Sequence, residues 1–211
     1  KGFVRITKDD FLFNLKIKIR KLYYFFKEAR VVFKKIPQKK YILYDTANSE
    51  TLRLVLPEKE TFLFPVRRSE IKKIYLSPGL FFYMTFNFFK NSLKQNYLTY
   101  LIKKISPKII FTAVELSVDF YKTAKILEND KIRFIAIQHQ CLRSSDYLQK
   151  TIINKSIFIP KFYCFGFYEK DILEKTNAKI GEFVPSGSLK AAIFLKNIKK
   201  KKLFNIKNNF D

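Results

Sequence analysis

The chain has no tryptophan, one histidine, two cysteines and five glycines among its 211 residues. Cys141 and Cys164 stand in no CxxC or metal-ligand spacing, which argues against both a disulfide scaffold and a zinc site. A Ser-His-Asp triad would have to use His139, and no GxSxG or HExxH accompanies it. There is no GxGxxG and no Walker loop, so the sequence supports neither a dinucleotide fingerprint nor a nucleoside triphosphatase. Acidic residues are scarce, 18 against 42 Lys and Arg, for a net charge of +24. Long apolar runs are missing as well. The longest, Leu80 to Phe89, contains Asn87 and is far short of the roughly 20 residues a transmembrane helix needs. No secretory leader is visible, and a start at Lys1 rather than Met is what a segment of a longer protein gives.

What is present is basic and aromatic. The balance of charge points to an anionic partner: nucleic acid, an anionic membrane surface or a phosphorylated small molecule. The lysines are spread through the whole chain, which argues against a groove built for nucleic acid. Nearly half the residues are hydrophobic, with 24 Phe and 12 Tyr, ample for the core of one large domain.

The organising stretch runs from Lys108 to Arg143. An apolar, β-branched run, Ile109 to Val114, breaks at Glu115. A helical stretch follows, capped by Ser117, with Phe120, Ala124 and Leu127 on one face. A second apolar run, Phe134 to Ile137, ends in Gln138-His139-Gln140. Strand, helix and strand in this length make a right-handed βαβ unit, and strands apolar without alternation belong to a parallel sheet covered on both faces. Further strands are predicted at 41–45, 61–66, 162–165 and 182–185, with Pro65 marking an edge strand. A helix is predicted over 93–105 and another over 168–176. The fold class is therefore α/β: a Rossmann-like three-layer domain over 38–190 with a mostly parallel sheet in the order 2-1-3-4-5-6.

Two flanking segments complete the expectation. Residues 7–35 read as one long helix, with Leu12, Leu15, Ile19, Leu22, Phe26, Ala29 and Phe33 on a stripe beside a basic face, ended by Pro37. It either packs on its own domain or lies on anionic lipid. Residues 191–211, with Lys199 to Lys202, read as a basic linker. The aromatic run Phe81, Phe82, Tyr83, Phe86, Phe88 and Phe89 reads as core or a domain face in preference to an acceptor groove or membrane contact.

In open parallel sheets, ligands bind outside the carboxyl ends of the strands, where the strand order reverses. Asp45, Arg67, Glu115, His139 and Gly187 fall at such ends. Glu115, His139 and Asp45 are the candidates for acid–base work, with Glu115 favoured as base because its strand lies beside the reversal. Arg67, Arg143, Gln138, Ser186, Gly187 and Ser188 are candidate ligand-binding residues, the arginines for phosphate or carboxylate. Each has a structural alternative: Asp45 and Ser117 as turn or helix caps, His139 as a hydrogen-bonded loop residue.

The order of segments resembles the N-terminal half of bacterial surface-carbohydrate biosynthesis proteins with a GT-B glycosyltransferase-like fold. The points of contact are I-L-Y-D followed by N-S-E, the strand running into V-R, P-K-I-I-F-T, F-I-A-I-Q-H-Q with its later arginine, Y-C-F-G-F-Y-E-K-D, and I-G-E-F-V-P-S-G-S. The resemblance covers roughly residues 40 to 190. It implies glycosyl transfer in lipopolysaccharide or capsule assembly, in the cytoplasm or peripherally on the inner membrane. The acceptor would be a glycan or lipid-linked glycan. The nucleotide-sugar donor would be held by a second Rossmann-like domain, so this chain would carry no cofactor of its own. The Gly-rich loop usual in the first domain of such enzymes is replaced here by D-T-A-N-S-E, which leaves a non-catalytic membrane-peripheral assembly or binding module as the alternative. A nucleic-acid-binding protein is the third and weakest reading.

Overall fold

The computed structural model describes residues 30–66, 73–87, 90–114, 117–139, 158–175 and 179–207. In chain order the elements are β1 (Arg30–Val32), β2 (Tyr41–Tyr44), α1 (Glu50–Arg53), β3 (Thr61–Phe64), β4 (Lys73–Tyr75), α2 (Pro78–Phe86) and α3 (Leu93–Ile105). They continue as β5 (Ile109–Thr112), α4 (Val118–Ile126), β6 (Arg133–Ile137), β7 (Phe158–Cys164), α5 (Phe167–Glu174), β8 (Lys179–Pro185) and α6 (Leu189–Lys207). Six strands form one sheet in the order β3-β2-β5-β6-β7-β8, every neighbouring pair parallel. The architecture is α/β and Rossmann-like, with the expected strand order, reversing between β2 and β5. β3 is an edge strand, as Pro65 at its end requires.

Strand periodicity divides the core into two faces. Ile42, Tyr44, Ile110, Phe134 and Ala136 share one face and pack with Leu98 and Ile102 of α3, Phe120 and Ala124 of α4, and Ile172 of α5. Leu43 faces the other way and packs, with Phe111 and Ile137, against Leu52 of α1 and Leu189 of α6. Fully buried side chains of this size contribute about 1.5–3 kcal/mol each. Phe120 is the hub of the first face, its ring centroid 5.3 Å from Tyr44, 5.4 Å from Tyr121 and 5.5 Å from Phe134.

The helix termini follow local rules. Ser92 caps α3 by accepting the Gln95 N–H at 3.2 Å, and Lys103 and Lys104 sit in its last turn, where they complement the dipole. Ser117 caps α4, accepting the Phe120 N–H at 3.4 Å.

One expectation is corrected. Residues 30–35 do not continue a helix: Arg30–Val32 is a strand paired in parallel with Lys73–Tyr75 in a separate two-stranded sheet. The β-branched Val31 and Val32 suit that strand, and a distant partner overrides the stripe. The rest of the expected N-terminal helix lies outside the described residues. The run around Phe81, expected as core or a domain face, is divided between the core and the surface. Ser77 caps α2 and Pro78 opens it, and only Leu80 is buried, while Phe81, Phe82 and Phe86 are 73%, 63% and 81% exposed. Phe88 and Phe89 lie outside the described residues. Within the basic tail the chain is helical as far as Lys207: α6 contains neither Gly nor Pro, and Ser188 accepts the Ala191 N–H at 3.3 Å. No helix among the described residues is long and apolar enough to cross a membrane.

Candidate functional site

Of the residues the sequence singles out, Asp45, Gln138, His139, Ser186, Gly187 and Ser188 are described, and each follows the carboxyl end of a strand. After β2 the chain turns sharply. Asp45 and Asn48 both adopt left-handed backbone conformations, with φ of 62° and 56°, which Asn and Asp tolerate better than most residues. Asp45 is buried, and its carboxylate accepts the Ala47 N–H at 3.2 Å. The Ser49 hydroxyl donates to the Thr46 carbonyl at 2.5 Å and accepts from Arg53 Nε at 3.1 Å. The D-T-A-N-S-E segment thus braces its own turn, and Asp45 takes the turn role.

After β5, Thr112 is fully buried and its hydroxyl accepts the Val114 N–H at 3.1 Å. Glu115 follows in sequence and lies outside the described residues, as do Arg67 and Arg143. Gln138 and His139 follow β6 and diverge. Gln138 is buried: its amide oxygen accepts the Phe165 N–H at 2.8 Å, and its amide nitrogen lies 3.3 Å from a Glu169 carboxylate oxygen. Those bonds tie β6 to the β7–α5 junction and commit the Gln138 amide to structural partners. His139 is half-buried at the rim.

The segment after β8 is built for a turn into a helix. The Ser186 N–H donates to the Cys164 carbonyl at 2.9 Å, and its hydroxyl lies 3.4 Å from the same oxygen. Gly187 has φ of 73° with open space around it, a position that favours glycine for its backbone alone. Ser188 then caps α6.

These ends converge on one small cavity of about 20 Å³, lined by Asn48, Thr51, Ala113, His139, Ser188 and Lys190 among others. It therefore joins the segments after β2, β5, β6 and β8. His139 and Ser188 are brought together there, with Gln138 in its wall. Asp45, Ser186 and Gly187 are not among its lining. Sequence reasoning missed Asn48, Thr51 and Lys190. Asn48 could have been found, because an Asn beside a Ser-Glu helix start is a natural left-handed residue. Lys190 could not, since it depends on where α6 begins relative to β6. The lining offers amide, hydroxyl, imidazole and ammonium groups beside the apolar Leu52, Ala113, Ile137 and Leu189, around a space about the size of one water.

The chain matches no protein-family model, no curated protein and no solved structure.

Proposed function

We propose that this chain is the acceptor-side domain of a surface-polysaccharide glycosyltransferase of the GT-B kind, acting in lipopolysaccharide or capsule biosynthesis. The observation that carries the proposal is the small cavity at the carboxyl ends, where Asn48 and Thr51 after β2, His139 after β6 and Ser188 after β8 come from three separate segments. A glycan or lipid-linked glycan would approach that rim, and a second Rossmann-like domain would present a nucleotide-sugar donor from the opposite side. Transfer to a sugar hydroxyl is helped by a base within hydrogen-bond reach. Glu115 is the proposed base, His139 the other candidate, and Arg143 and Arg67 the proposed anchors for an acidic or phosphorylated group. The resemblance of residues 40 to 190 to such proteins supports the same reading.

A second reading, a non-catalytic module held at the inner membrane, is favoured by one specific feature. Phe81, Phe82 and Phe86 are exposed on α2 in a chain of net charge +24, a combination that suits an anionic lipid surface.

One complementation experiment distinguishes the two. The gene is deleted in its own organism, and surface polysaccharide is profiled after rescue with wild type, Glu115→Gln, His139→Ala or Phe81→Ser/Phe86→Ser. The transferase reading expects altered polysaccharide that wild type restores and Glu115→Gln does not. Rescue by both rim variants but not by the α2 variant selects the non-catalytic module. An unchanged polysaccharide after deletion rejects both.

A further inference from the structure

A second cavity, much larger than the rim cavity, is present among the described residues. It lies between the start of α3 and the outer side of α4, with a volume of about 560 Å³, and reaches the first residues of β7 and β8. It opens on the sheet face opposite α1 and the Leu189 end of α6, so it is a separate place from the His139 cavity. Its charge is unbalanced. Of its lining residues, Lys90, Lys122, Lys125 and Lys179 are basic, and Asp119 is acidic. Asp119 is already neutralised by Lys94 at 2.6 Å, and Lys125 is paired with Glu128 at 2.5 Å while lying 5.4 Å above the Phe158 ring. Lys90, Lys122 and Lys179 have no acidic partner among the described residues.

We propose that this cavity binds a phosphate-bearing ligand, held by Lys90, Lys122 and Lys179. Three uncompensated ammonium groups around one concavity focus a positive field, and an anion relieves their mutual repulsion. The volume falls within the roughly 300–1,000 Å³ usual for small-ligand sites. The wall is structured beneath the lysines. Gln95 is buried at its base, donates to Thr123 Oγ1 at 2.5 Å, and Thr123 in turn donates to the Asp119 carbonyl at 2.6 Å. The ligand class follows from the donors present. Lysine offers a compact point charge and three rotatable donors, a good match to phosphate, and no arginine fork lines the cavity to select a planar carboxylate. Lys125 lies over the Phe158 ring and Tyr121 is buried, so among the described lining residues there is no open stacking platform for nucleic-acid bases.

The test uses the 211-residue chain, with inorganic pyrophosphate followed by calorimetry and phosphatidylcholine vesicles, with and without phosphatidic acid, followed by co-sedimentation. Lys122→Ala/Lys179→Ala is compared with Lys108→Ala/Lys131→Ala, which removes the same charge from exposed positions elsewhere. Salt-dependent pyrophosphate binding is expected, weakened at least tenfold in the first variant and by less than threefold in the second. Binding to phosphatidic acid vesicles alone, lost in the first variant only, also supports the site and assigns it to a lipid phosphate. The proposal is overturned if neither probe binds, if binding survives the cavity variant, or if both variants weaken it equally. Tight binding of a single-stranded oligonucleotide without binding of pyrophosphate also overturns it.

Discussion

Gln138 at the end of β6 and Glu169 in α5 form a buried amide–carboxylate hydrogen bond of 3.3 Å, and the same amide accepts the Phe165 N–H at 2.8 Å. Gln138→Leu strands both partners, and leaving buried groups unsatisfied costs about 2–3 kcal/mol here. Urea unfolding should show that loss. Gln138→Glu gives a more selective signature, because it places two carboxyls together and raises the folded-state pKa of the pair. Stability is then retained while the pair holds a proton, below roughly pH 4.3, and lost as pH rises above it. An unfolding midpoint for Gln138→Glu that tracks wild type from about pH 4 to about pH 7 would falsify the contact.

Gly181 is required by a neighbour rather than by its own backbone. A Cβ at this position would lie 2.6 Å from the Pro160 carbonyl oxygen, where β7 and β8 pair. Backbone cannot swing aside as a side chain can. Gly181→Ala should destabilise by about 1–3 kcal/mol, as overpacking does, whereas Gly187→Ala, at a positive φ in open space, should cost only about 1 kcal/mol. A larger loss at Gly187 than at Gly181 in thermal unfolding contradicts the strand geometry.

Cys164 is buried, with its sulfur 3.2 Å from the Gly166 carbonyl oxygen, and burial pushes its thiol up from 9.0 to about 11. A raised acid pKa contributes stability that is complete below about pH 9 and lost as pH climbs towards 11. Two units correspond to about 2–3 kcal/mol. Cys164→Ala should therefore flatten the alkaline limb of the stability curve in that window. In a Cys141→Ser background, iodoacetamide should label Cys164 no faster than the chain unfolds. Rapid labelling of folded protein would show an accessible thiolate instead.

The legible parts of this fold were those whose signals are local. Unalternating Ile109-Ile110-Phe111 and Phe134-Ile135-Ala136 announce buried parallel strands, Ser117 announces a helix start, and Pro65 announces an edge. β1 was hidden because Val31 and Val32 gain their strand partner some forty residues away, in Lys73–Tyr75. The start of α2 has a local signal as well, Ser77 at the cap and Pro78 in the first turn. At the site, His139 and Ser188 both line the cavity at the carboxyl ends, while Gly187 does not. The structural role of Gln138 depended on Glu169 lying beside it, which no sequence spacing reveals. The lysine cavity has no local signal for a related reason: its lining comes from the start of α3, from α4 and from the first residues of β7 and β8, which only packing brings together.

The remaining prediction concerns Tyr44, at the centre of the core. It is fully buried, with its ring 5.6 Å from Phe64 and 5.3 Å from Phe120, and its hydroxyl makes no hydrogen bond of good geometry. Burial drives its pKa far above the usual phenol range, and nearby Thr123 only partly opposes this. Thr123 is already committed, donating to the Asp119 carbonyl and accepting from Gln95. A buried hydroxyl without a partner is a net cost of about 1–3 kcal/mol, while the ring contacts that hold the core need no oxygen. Tyr44→Phe should therefore be neutral or stabilise the chain by about 1 kcal/mol. Tyr44→Leu keeps the apolar character but loses the ring contacts with Phe64 and Phe120, and should cost about 1–3 kcal/mol. The pair separates hydroxyl from ring. If Tyr44→Phe destabilises by more than about 1 kcal/mol in urea unfolding, the hydroxyl has a working partner and Thr123 is the first residue to test, by Tyr44→Phe/Thr123→Val in a double-mutant cycle.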